Sequence, residues 1–363
     1  MRNVPLLWLK RKQESFKRYK VAAGNEVPMN TTIYDIAQRA EVSIATVSKV
    51  MNGNGRISTR TRTKVVRIMH ELGYEPSMVA SALTGKQTFT LGLLIPDLAN
   101  PFFAEIARNI EDRAHEMGFS VIICSTDNKP ERTQRNIRFF KQKRVDGVII
   151  GTGDVDAATI TGLLKSMPVV LIARDIPTLA VDAVRVDDFL GGRMAAAHLL
   201  ESGHRCIAVV AEDELFVSSN ERVRGYRAAL EEAGVSYDPG LVVQVIPNPE
   251  SAKAAAAELL EARPDLTAIF TCNDLLATLV IQAARERGLS VPGDLSVIGF
   301  DNTLHASIVY PALTTIAQPT EDMSRQVVDL LLGKINDPNV TTQKVIMLPE
   351  LITRSSVGAV GKE

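Results

Sequence analysis

The feature that most constrains the fold is a repeating pattern in residues 87–357. Short apolar runs rich in β-branched residues alternate there with helical patterns. Runs of this kind, buried along their whole length and separated by helices, are typical of parallel sheets covered on both faces. The pattern therefore predicts an α/β body that binds ligands at the carboxyl ends of its strands. The predicted strands are TLGLLI, SVIIC, GVIIG, VVLIA, CIAVVA, LTAIFT and LSVIGF.

The residues before this body predict an all-α head instead. A capping box that starts at Thr32 (TIYD) opens a first helix. Ser43 is placed to cap a second helix, residues 44–51, by accepting from a backbone N–H one turn ahead. Ser58 or Thr59 opens a third helix. Two helices joined by a short turn and followed by a supporting helix are the layout of a helix-turn-helix DNA reader.

The second predicted helix lies in the stretch VSIATVSKVMNG and carries no acidic residue. A helix that enters the DNA major groove needs such a face, because phosphates flank the groove on both sides. Short polar side chains would hydrogen-bond phosphates, and the others would meet base edges. A small bundle that contacts protein would use the same pattern, so the motif alone leaves that alternative open. The phosphate candidates are Ser43, Thr46, Ser48 and Asn52, and the base candidates are Ile44, Ala45 and Lys49.

The charge distribution favours the DNA interpretation. Residues 1–89 hold 15 Lys and Arg against 6 Asp and Glu, a net charge of +9, whereas the remainder holds 26 against 36, a net −10. A basic head on an acidic body is expected when one part binds a polyanion. No apolar run reaches the roughly 18 residues of a membrane span, and the N-terminus does not fit a secretory signal. The three separated cysteines are typical of a reducing compartment, so a cytoplasmic protein is expected.

Residues 76–86 predict a hinge. Pro76 and Ser77 can start a helix that Gly85 ends, which leaves about eight residues, fewer than the roughly 12–15 that an isolated helix needs. Such a segment would fold only when docked. Leu83, near its end, could insert between base steps in the minor groove. The alternative is an inert linker.

From about Thr31 to about Val357 the sequence resembles the lactose-repressor/galactose-repressor family of bacterial transcription factors. TIYDIAQRAEVSIATVSKVMN, LGYEP, ASAL, NPFFAEI, KRVDGVII, RVRGY, CND, GFDN and PALTTIAQP occur in family order and spacing. The resemblance implies base reading by the three residues named above, a minor-groove wedge at Leu83, and further DNA contacts at Thr32 and Tyr34. It also implies two subdomains like those of periplasmic sugar-binding proteins, with an effector in the cleft between them. Glu41 departs from the pattern, because this turn position is commonly Gly in the family.

Three polar residues follow predicted strands of the body and are candidates for that effector site. Asp301 ends VIGFD, Asn273 follows AIFTC, and Arg174 follows VVLIA. The resemblance matches Asp301 and Asn273 to residues that hydrogen-bond the effector. Many relatives carry Asp-Arg where this chain has Ala173-Arg174, so one acceptor is missing.

Three more effector candidates lie at helix starts. Arg222 opens the helix of ERVRGY, and by resemblance it also hydrogen-bonds the effector; Phe102 and Phe103 supply an aromatic wall. Polar donors and acceptors beside an apolar face suit a sugar or a related metabolite. The alternative is that Asp301 and Arg222 form a structural ion pair and that the phenylalanines belong to the core.

No catalytic, metal or cofactor site is predicted. Gly151-Thr-Gly153 lacks the third glycine of a dinucleotide loop, and the five histidines are scattered without metal-ligand spacing. An enzyme is therefore not expected, and a solute-binding transport protein would need an export signal.

The sequence thus predicts a ligand-responsive DNA-binding regulator, a repressor of carbohydrate-catabolic genes that binds palindromic operators as a homodimer. Control by a phosphorylated partner protein, or by a non-sugar corepressor, remains open. The expected divisions are a basic N-terminal extension at 1–29 (with Met29 an alternative start), the helix-turn-helix domain at 30–75, the hinge at 76–86, the effector-binding and dimerisation domain at 87–357, and a tail at 358–363. Within that domain we expect an N-subdomain of about 89–187 and 319–347 and a C-subdomain of about 188–318 and 348–357.

Overall fold

The computed structural model describes residues 31–51, 56–74, 87–213, 216–246 and 248–360. The chain separates into two units, Met1–Lys86 and Gln87–Glu363. The first is called the head and the second the body below, and each is described by itself.

The described part of the head consists of helices α1 (Ile33–Ala40), α2 (Ile44–Met51) and α3 (Thr59–Glu71). Their shared core is built on Ile36 of α1, Val47 and Val50 of α2, and Val65 and Ile68 of α3. The capping box at Thr32 is present, Ser43 Oγ accepts from the backbone N–H of Thr46 at 3.1 Å, and Ser58 caps α3. The three predicted helices and their caps are confirmed.

The turn between α1 and α2 accommodates Glu41 in place of glycine. Its backbone is left-handed, with φ 56° and ψ 43°, a conformation that costs a non-glycine residue about 1 kcal/mol. The Glu41 carboxylate lies 2.9 Å from Lys64 Nζ on α3. This exposed ion pair links the turn to the supporting helix.

Two six-stranded sheets form the body, as the alternating pattern predicts. Their strands are β1 (Thr90–Ile95), β2 (Ser120–Ser125), β3 (Gly147–Ile150), β4 (Val169–Ile172), β5 (Asp182–Val186), β6 (Ile207–Glu212), β7 (Val242–Val245), β8 (Ala268–Thr271), β9 (Ser296–Asp301), β10 (Thr314–Ala317), β11 (Lys344–Met347) and β12 (Glu350–Ile352). The first sheet has the order β11-β5-β4-β3-β1-β2 and is parallel throughout. The second has the order β12-β10-β9-β8-β6-β7 and is parallel except for β12, which pairs antiparallel with β10.

Helices cover both faces of each sheet. These helices are α4 (Pro101–Glu116), α5 (Pro130–Lys143), α6 (Ala157–Leu164), α7 (Asp188–Glu201), α8 (Val217–Glu232), α9 (Pro249–Ala262), α10 (Asp274–Glu286), α11 (Leu304–Ile308) and α12 (Thr320–Asn336). On the first sheet, α4 and α12 pack on one face and α5 and α6 on the other. On the second sheet, α7 and α8 pack on one face and α9, α10 and α11 on the other.

All seven predicted runs form strands, namely β1 to β4, β6, β8 and β9. The expectation that each is buried on both faces is wrong for β2, an edge strand on which Ile123 is 37% exposed. Five strands were not predicted: β5, β7, β10, β11 and β12. Polar residues interrupt most of these short segments, as in DAVRV and VVQV, so they lack the continuous apolar signal.

The chain passes between the two sheets at the carboxyl ends of their strands. β5 leads within two residues into α7, and β10 leads within three into α12. β11 leads into β12, which starts beside the end of β10 because Glu350 pairs with Ala317. These short connections join the carboxyl edges of the sheets, the place where a parallel α/β protein binds ligands.

Candidate functional site

One face of α2 is exposed and carries the predicted base-contacting residues. Val47 and Val50 are buried in the head, whereas Ile44 is 41% exposed and Ala45 and Lys49 are exposed. The exposed set combines small and apolar side chains with one cation, which is a combination that can meet base edges in a major groove. Ala45 and Lys49 are four residues apart and therefore lie on the same side of α2, with Ile44 next to Ala45; their contact with bases stays a prediction.

Three of the predicted phosphate-contacting residues, Ser43, Thr46 and Ser48, lie just before α2 or on it. Ser43 and Thr46 hydrogen-bond each other through their hydroxyls at 2.9 Å, and Ser48 is half-buried. On α1, Tyr34 is 67% exposed. Thr32 is exposed, but its hydroxyl donates to Asp35 in the capping box at 2.6 Å. Asn52 and Leu83 lie outside the described residues.

The second sheet brings three of the four polar effector candidates, Arg222, Asp301 and Asn273, to one edge. Arg222 on α8 is buried, and its Nε donates to Asp188 Oδ1 at 2.8 Å. Its Nη1 donates to the carbonyl of Cys272 and lies 3.8 Å from Asp301 Oδ1. The guanidinium carbon stacks 3.6 Å from the centroid of the Phe300 ring. The arginine is therefore held in position from several sides.

A close crossing of two helices places Arg222. A Cβ added to Gly192 of α7 would lie 2.0 Å from the Arg222 carbonyl oxygen. A Cβ added to Gly225 of α8 would lie 2.0 Å from the Phe189 carbonyl oxygen. Only glycine allows the two backbones to approach this closely.

Asp301 ends β9 in a strained turn. It is 6% exposed, its φ is 108°, and Asn302 follows at φ 56°. Gln318, just after β10, donates through Nε2 to Asp301 Oδ1 at 2.7 Å. Non-glycine residues in such backbone conformations cost energy and concentrate at functional sites.

The buried carboxylate of Asp274 fixes this turn from α10. Its Oδ2 accepts from the backbone N–H and the hydroxyl of Thr303, at 2.7 and 3.0 Å, and its Oδ1 accepts from the Thr315 hydroxyl at 2.6 Å. Asp274 thus positions the backbone just beyond Asp301.

Asn273 and Glu212 form a second polar group at the same edge. Asn273 caps α10 by accepting from Leu276 N–H at 2.8 Å, while its Nδ2 donates to Glu212 Oε1 at 2.6 Å. Glu212 ends β6, and its other oxygen accepts from the Ser219 hydroxyl. Asn273 is 8% exposed and Glu212 is half-buried.

Carboxylates dominate the electrostatics of this edge. Burial raises the pKa of Asp301 well above its ordinary value; Arg222 opposes this shift, and the charges of Asp274 and Glu212 add to it. Burial also raises the pKa of Asp188 although Arg222 is its partner. For Arg222, burial lowers the pKa, but Asp188 and Asp301 raise it more, so it stays protonated.

The first sheet contributes fewer polar groups. Phe102 packs in the core at 5% exposure. Phe103 is half-buried beside Gly151 at the end of β3, where an added Cβ would lie 3.6 Å from its ring. Arg174 donates to the carbonyls of Thr152 and Val155, so its guanidinium is bound to the loop after β3. Phe103 is thus the aromatic candidate nearer the strand ends.

Asp188, Glu212 and Gln318 were not singled out from the sequence, although they join the polar cluster. Glu212 had the same signal as Asp301, an acid that ends an apolar run, here in CIAVVAE. Asp188 and Gln318 follow strands that lack a continuous apolar pattern, so no such signal pointed to them.

Among the residues that the structure describes, the His, Cys, Asp and Glu side chains form no group of three or more that could hold a metal ion. The described helices include none that is long and apolar enough to cross a membrane.

Comparison with known families finds matches in both units. Residues 32–77 match bacterial regulatory proteins of the lacI family. Residues 196–357 match a periplasmic binding protein-like domain.

Two curated relatives match nearly the whole chain. The HTH-type transcriptional regulator DegA of Bacillus subtilis (strain 168) is 45% identical over 333 residues, which are 90% of this chain and 98% of DegA. Catabolite control protein A of Priestia megaterium is 38% identical over 326 residues, 89% of this chain and 98% of that protein.

Solved structures agree with these matches. The lac repressor dimer bound to operator and the anti-inducer ONPF has a TM-score of 0.80 at 28% identity, covering 91% of this chain and all of that one. The complex of the transcriptional regulator CelR with cellobiose has a TM-score of 0.69 at 31% identity, covering 90% of this chain and 99% of that one. The chain belongs to the LacI family of bacterial transcriptional regulators.

Proposed function

We propose that this protein is a repressor that releases or binds operator DNA in response to a small polar effector held between the carboxyl edges of its two sheets. The observation that supports this most is the buried polar cluster of Arg222, Asp301 and Asn273 at the ends of β8 and β9 and on the adjoining helix α8. A purely structural ion pair would not need a strained backbone at its carboxylate.

The head supplies the DNA contacts in this proposal. Ile44, Ala45 and Lys49 read base edges, while Ser43 and Thr46 bind phosphate. Residues 30–75 form the reading domain, and 76–86 connect it to the effector-binding domain at 87–357. A signal from the effector can reach the head along this connection, which is the covalent link between the two units.

A sugar or a related metabolite is the proposed effector. CelR binds cellobiose, and another LacI-family regulator, from Enterococcus faecium, has been solved with bound ribose. The cluster here offers carboxylate and amide acceptors with one guanidinium, and Phe103 offers an apolar face, which together suit a hydroxylated ring. We therefore place the regulated genes in carbohydrate catabolism, and the protein in the cytoplasm, where the DNA is.

A second copy of the chain completes the proposed regulator. Leu304, Ile308 and Tyr310 are 70%, 67% and 80% exposed and lie together in and after α11. Large apolar side chains exposed in one group mark an interaction surface, and the similar lac repressor is a dimer on its operator. Two-fold symmetry would then require a palindromic operator.

Genome-wide footprinting of the native protein tests the proposal. We expect protected palindromes next to genes of carbohydrate metabolism, and occupancy that changes when the corresponding sugar is supplied. Protected sites without two-fold symmetry, or occupancy that is the same on every carbon source, would contradict it.

A further inference from the structure

One helix of the body carries a high density of positive charge. Residues 129–144, which contain α5, hold seven Lys and Arg and a single acid, Glu131, a net charge of +6. The rest of residues 90–363 holds 19 Lys and Arg against 35 Asp and Glu, a net −16. A polyanion that approaches the body is therefore repelled by most of it and attracted to this helix.

The positive charge of α5 faces solvent. Ile137 and Phe140 on one side of the helix are buried in the core of the first sheet. Arg135 and Arg138, three residues apart and therefore neighbours on the helix surface, are both exposed, and Lys141, three residues further on, is exposed as well. These three cations form one row, which is called the α5 row below.

The α5 row is not neutralised by neighbouring carboxylates. On α4, for comparison, the exposed Arg108 pairs with Asp112 one turn ahead at 2.8 Å. Within the described residues, no member of the α5 row forms an ion pair. The row therefore keeps its charge available for a partner outside the chain.

Stability of the helix accounts for other cations of this segment but not for the whole row. Lys141 and Lys143 lie in the last turn of α5, where the helix dipole favours a positive charge. Arg132 pairs with Asp127. Arg135 and Arg138 lie in the middle of the helix, where neither reason applies.

Duplex DNA is the polyanion that this surface fits best. Guanidinium and ammonium groups donate charge-assisted hydrogen bonds to phosphate oxygens, and each phosphate that they neutralise releases condensed counterions. The body is joined covalently to the head, so DNA that is bound by the head reaches an effective concentration of about millimolar near the body. An acidic protein that is free in solution lacks this advantage.

We propose that the α5 row is a second DNA-binding surface of this protein, which binds the phosphate backbone without reading bases. It adds affinity for any duplex, whereas the head supplies the discrimination between sequences. The proposal goes beyond the effector site and does not depend on it.

Salt-dependent binding of the full-length protein to a random-sequence duplex of about 60 base pairs tests the proposal. The test variant combines Arg135→Gln, Arg138→Gln and Lys141→Gln, because glutamine removes the charge and has a similar helix propensity. At about 0.1 M salt we expect the affinity to fall about tenfold or more, and the slope of log K against log salt to become shallower by about two to three. Affinity for an operator found by footprinting should fall by the same factor, since no base contact is lost.

Three exposed arginines elsewhere on the body provide the matched control. Arg108→Gln, Arg227→Gln and Arg325→Gln together make the same change in net charge, at side chains that are 74%, 58% and 47% exposed. This variant should bind both duplexes as wild type does. Arg135→Lys with Arg138→Lys keeps the charge of the α5 row and should keep the salt slope.

Melting temperatures of all variants verify that they are folded. If the test variant melts at a lower temperature than wild type does, Arg138→Gln alone replaces it, with an expected change in slope of about one. The proposal is overturned if removal of the charges leaves the affinity and the salt slope on random DNA unchanged, or if the control variant loses as much. Polyglutamate, an acidic polymer without phosphate, identifies the other class of partner. Unchanged DNA binding with weaker binding of polyglutamate would overturn the DNA proposal and assign the α5 row to an acidic protein.

Discussion

Asp301 combines burial, strain and charge at one residue. Its φ of 108° strains the backbone, and burial disfavours its ionised form, which raises its pKa. Surrounding groups hold it there, with Gln318 bonded to its carboxylate and Asp274 fixing the following turn. Sequence reasoning found Asp301 from its place after an apolar run. It could not show the strained backbone, because hydrogen bonds from distant parts of the chain, Asp274 on α10 and Thr315 on β10, hold the turn.

The Asp301→Asn variant separates the functional role from the structural one. We expect it to lose the effect of the ligand on DNA binding, while operator affinity without ligand stays near wild type. The reason is that the amide has no charge and one accepting oxygen where the carboxylate has two, a loss of about 1–3 kcal/mol at a buried site. Ligand-dependent operator binding and melting temperature are measured on the same sample. A lower melting temperature with failed dimerisation would mean that the Arg222 contact is structural.

Lys49 tests the DNA-reading surface. Lys49→Ala should weaken specific operator binding by about 1–3 kcal/mol, since a base contact is lost while the head remains folded. Lys64→Ala on α3 is a matched control, because it removes an equal charge that pairs with Glu41. Equal losses on operator and random DNA would show that Lys49 contacts phosphate alone.

Asp274 is expected to make the free energy of unfolding of the body depend on pH. Burial raises its pKa to about 6, above the ordinary 3.8, so the folded state holds this proton more tightly than the unfolded state does. Its contribution to stability is therefore full at about pH 4 and is lost as pH rises through about 6, by up to about 3 kcal/mol. Asp274→Asn should remove this slope. The free energy of unfolding of both proteins between these pH values measures it, and parallel curves would contradict the assignment.

At the scale of helices and strands, the sequence predicted the elements that are marked by a continuous apolar run or by a capping residue. Seven continuous apolar runs became strands, and the caps at Thr32, Ser43 and Ser58 began the helices of the head. The five missed strands have interrupted patterns such as DAVRV and are ordered by pairing with predicted neighbours. A few consecutive residues do not show which distant strand they will pair with. Strands β5 and β10 were missed for this reason, and Asp188 and Gln318, which follow them, were missed as well.

The crossing of α7 and α8 should be intolerant of any side chain. Gly192→Ala places a Cβ 2.0 Å from the Arg222 carbonyl oxygen, and backbone cannot move aside cheaply. We expect a loss of at least about 2–3 kcal/mol in the free energy of unfolding. Gly333→Ala on α12 is the control, because an added Cβ there meets open space. It should be neutral or stabilise by up to about 1 kcal/mol. Similar melting temperatures for the two variants would contradict the close approach of α7 and α8 at Gly192.

The whole molecule is expected to work as a pair. Tyr310→Asp introduces a charge into the exposed apolar group that we assign to the second copy. The dissociation constant of the dimer should rise at least about tenfold, since burying an unpaired charge at an interface costs several kcal/mol. Analytical ultracentrifugation measures this, with Val217→Asp, 66% exposed at the start of α8, as the control. An unchanged dimer would place the interface elsewhere.

The path of the chain between the two sheets also has a consequence for synthesis on the ribosome. The first sheet lacks β11 and its covering helix α12 until residue 347 has been made, and the second lacks β12 until residue 352. At about 5–20 residues per second, the head is therefore complete on the order of tens of seconds before either sheet can close. During that interval the nascent chain carries a DNA reader without its effector sensor. Messages cut short after the head would encode the helix-turn-helix without the effector-binding body.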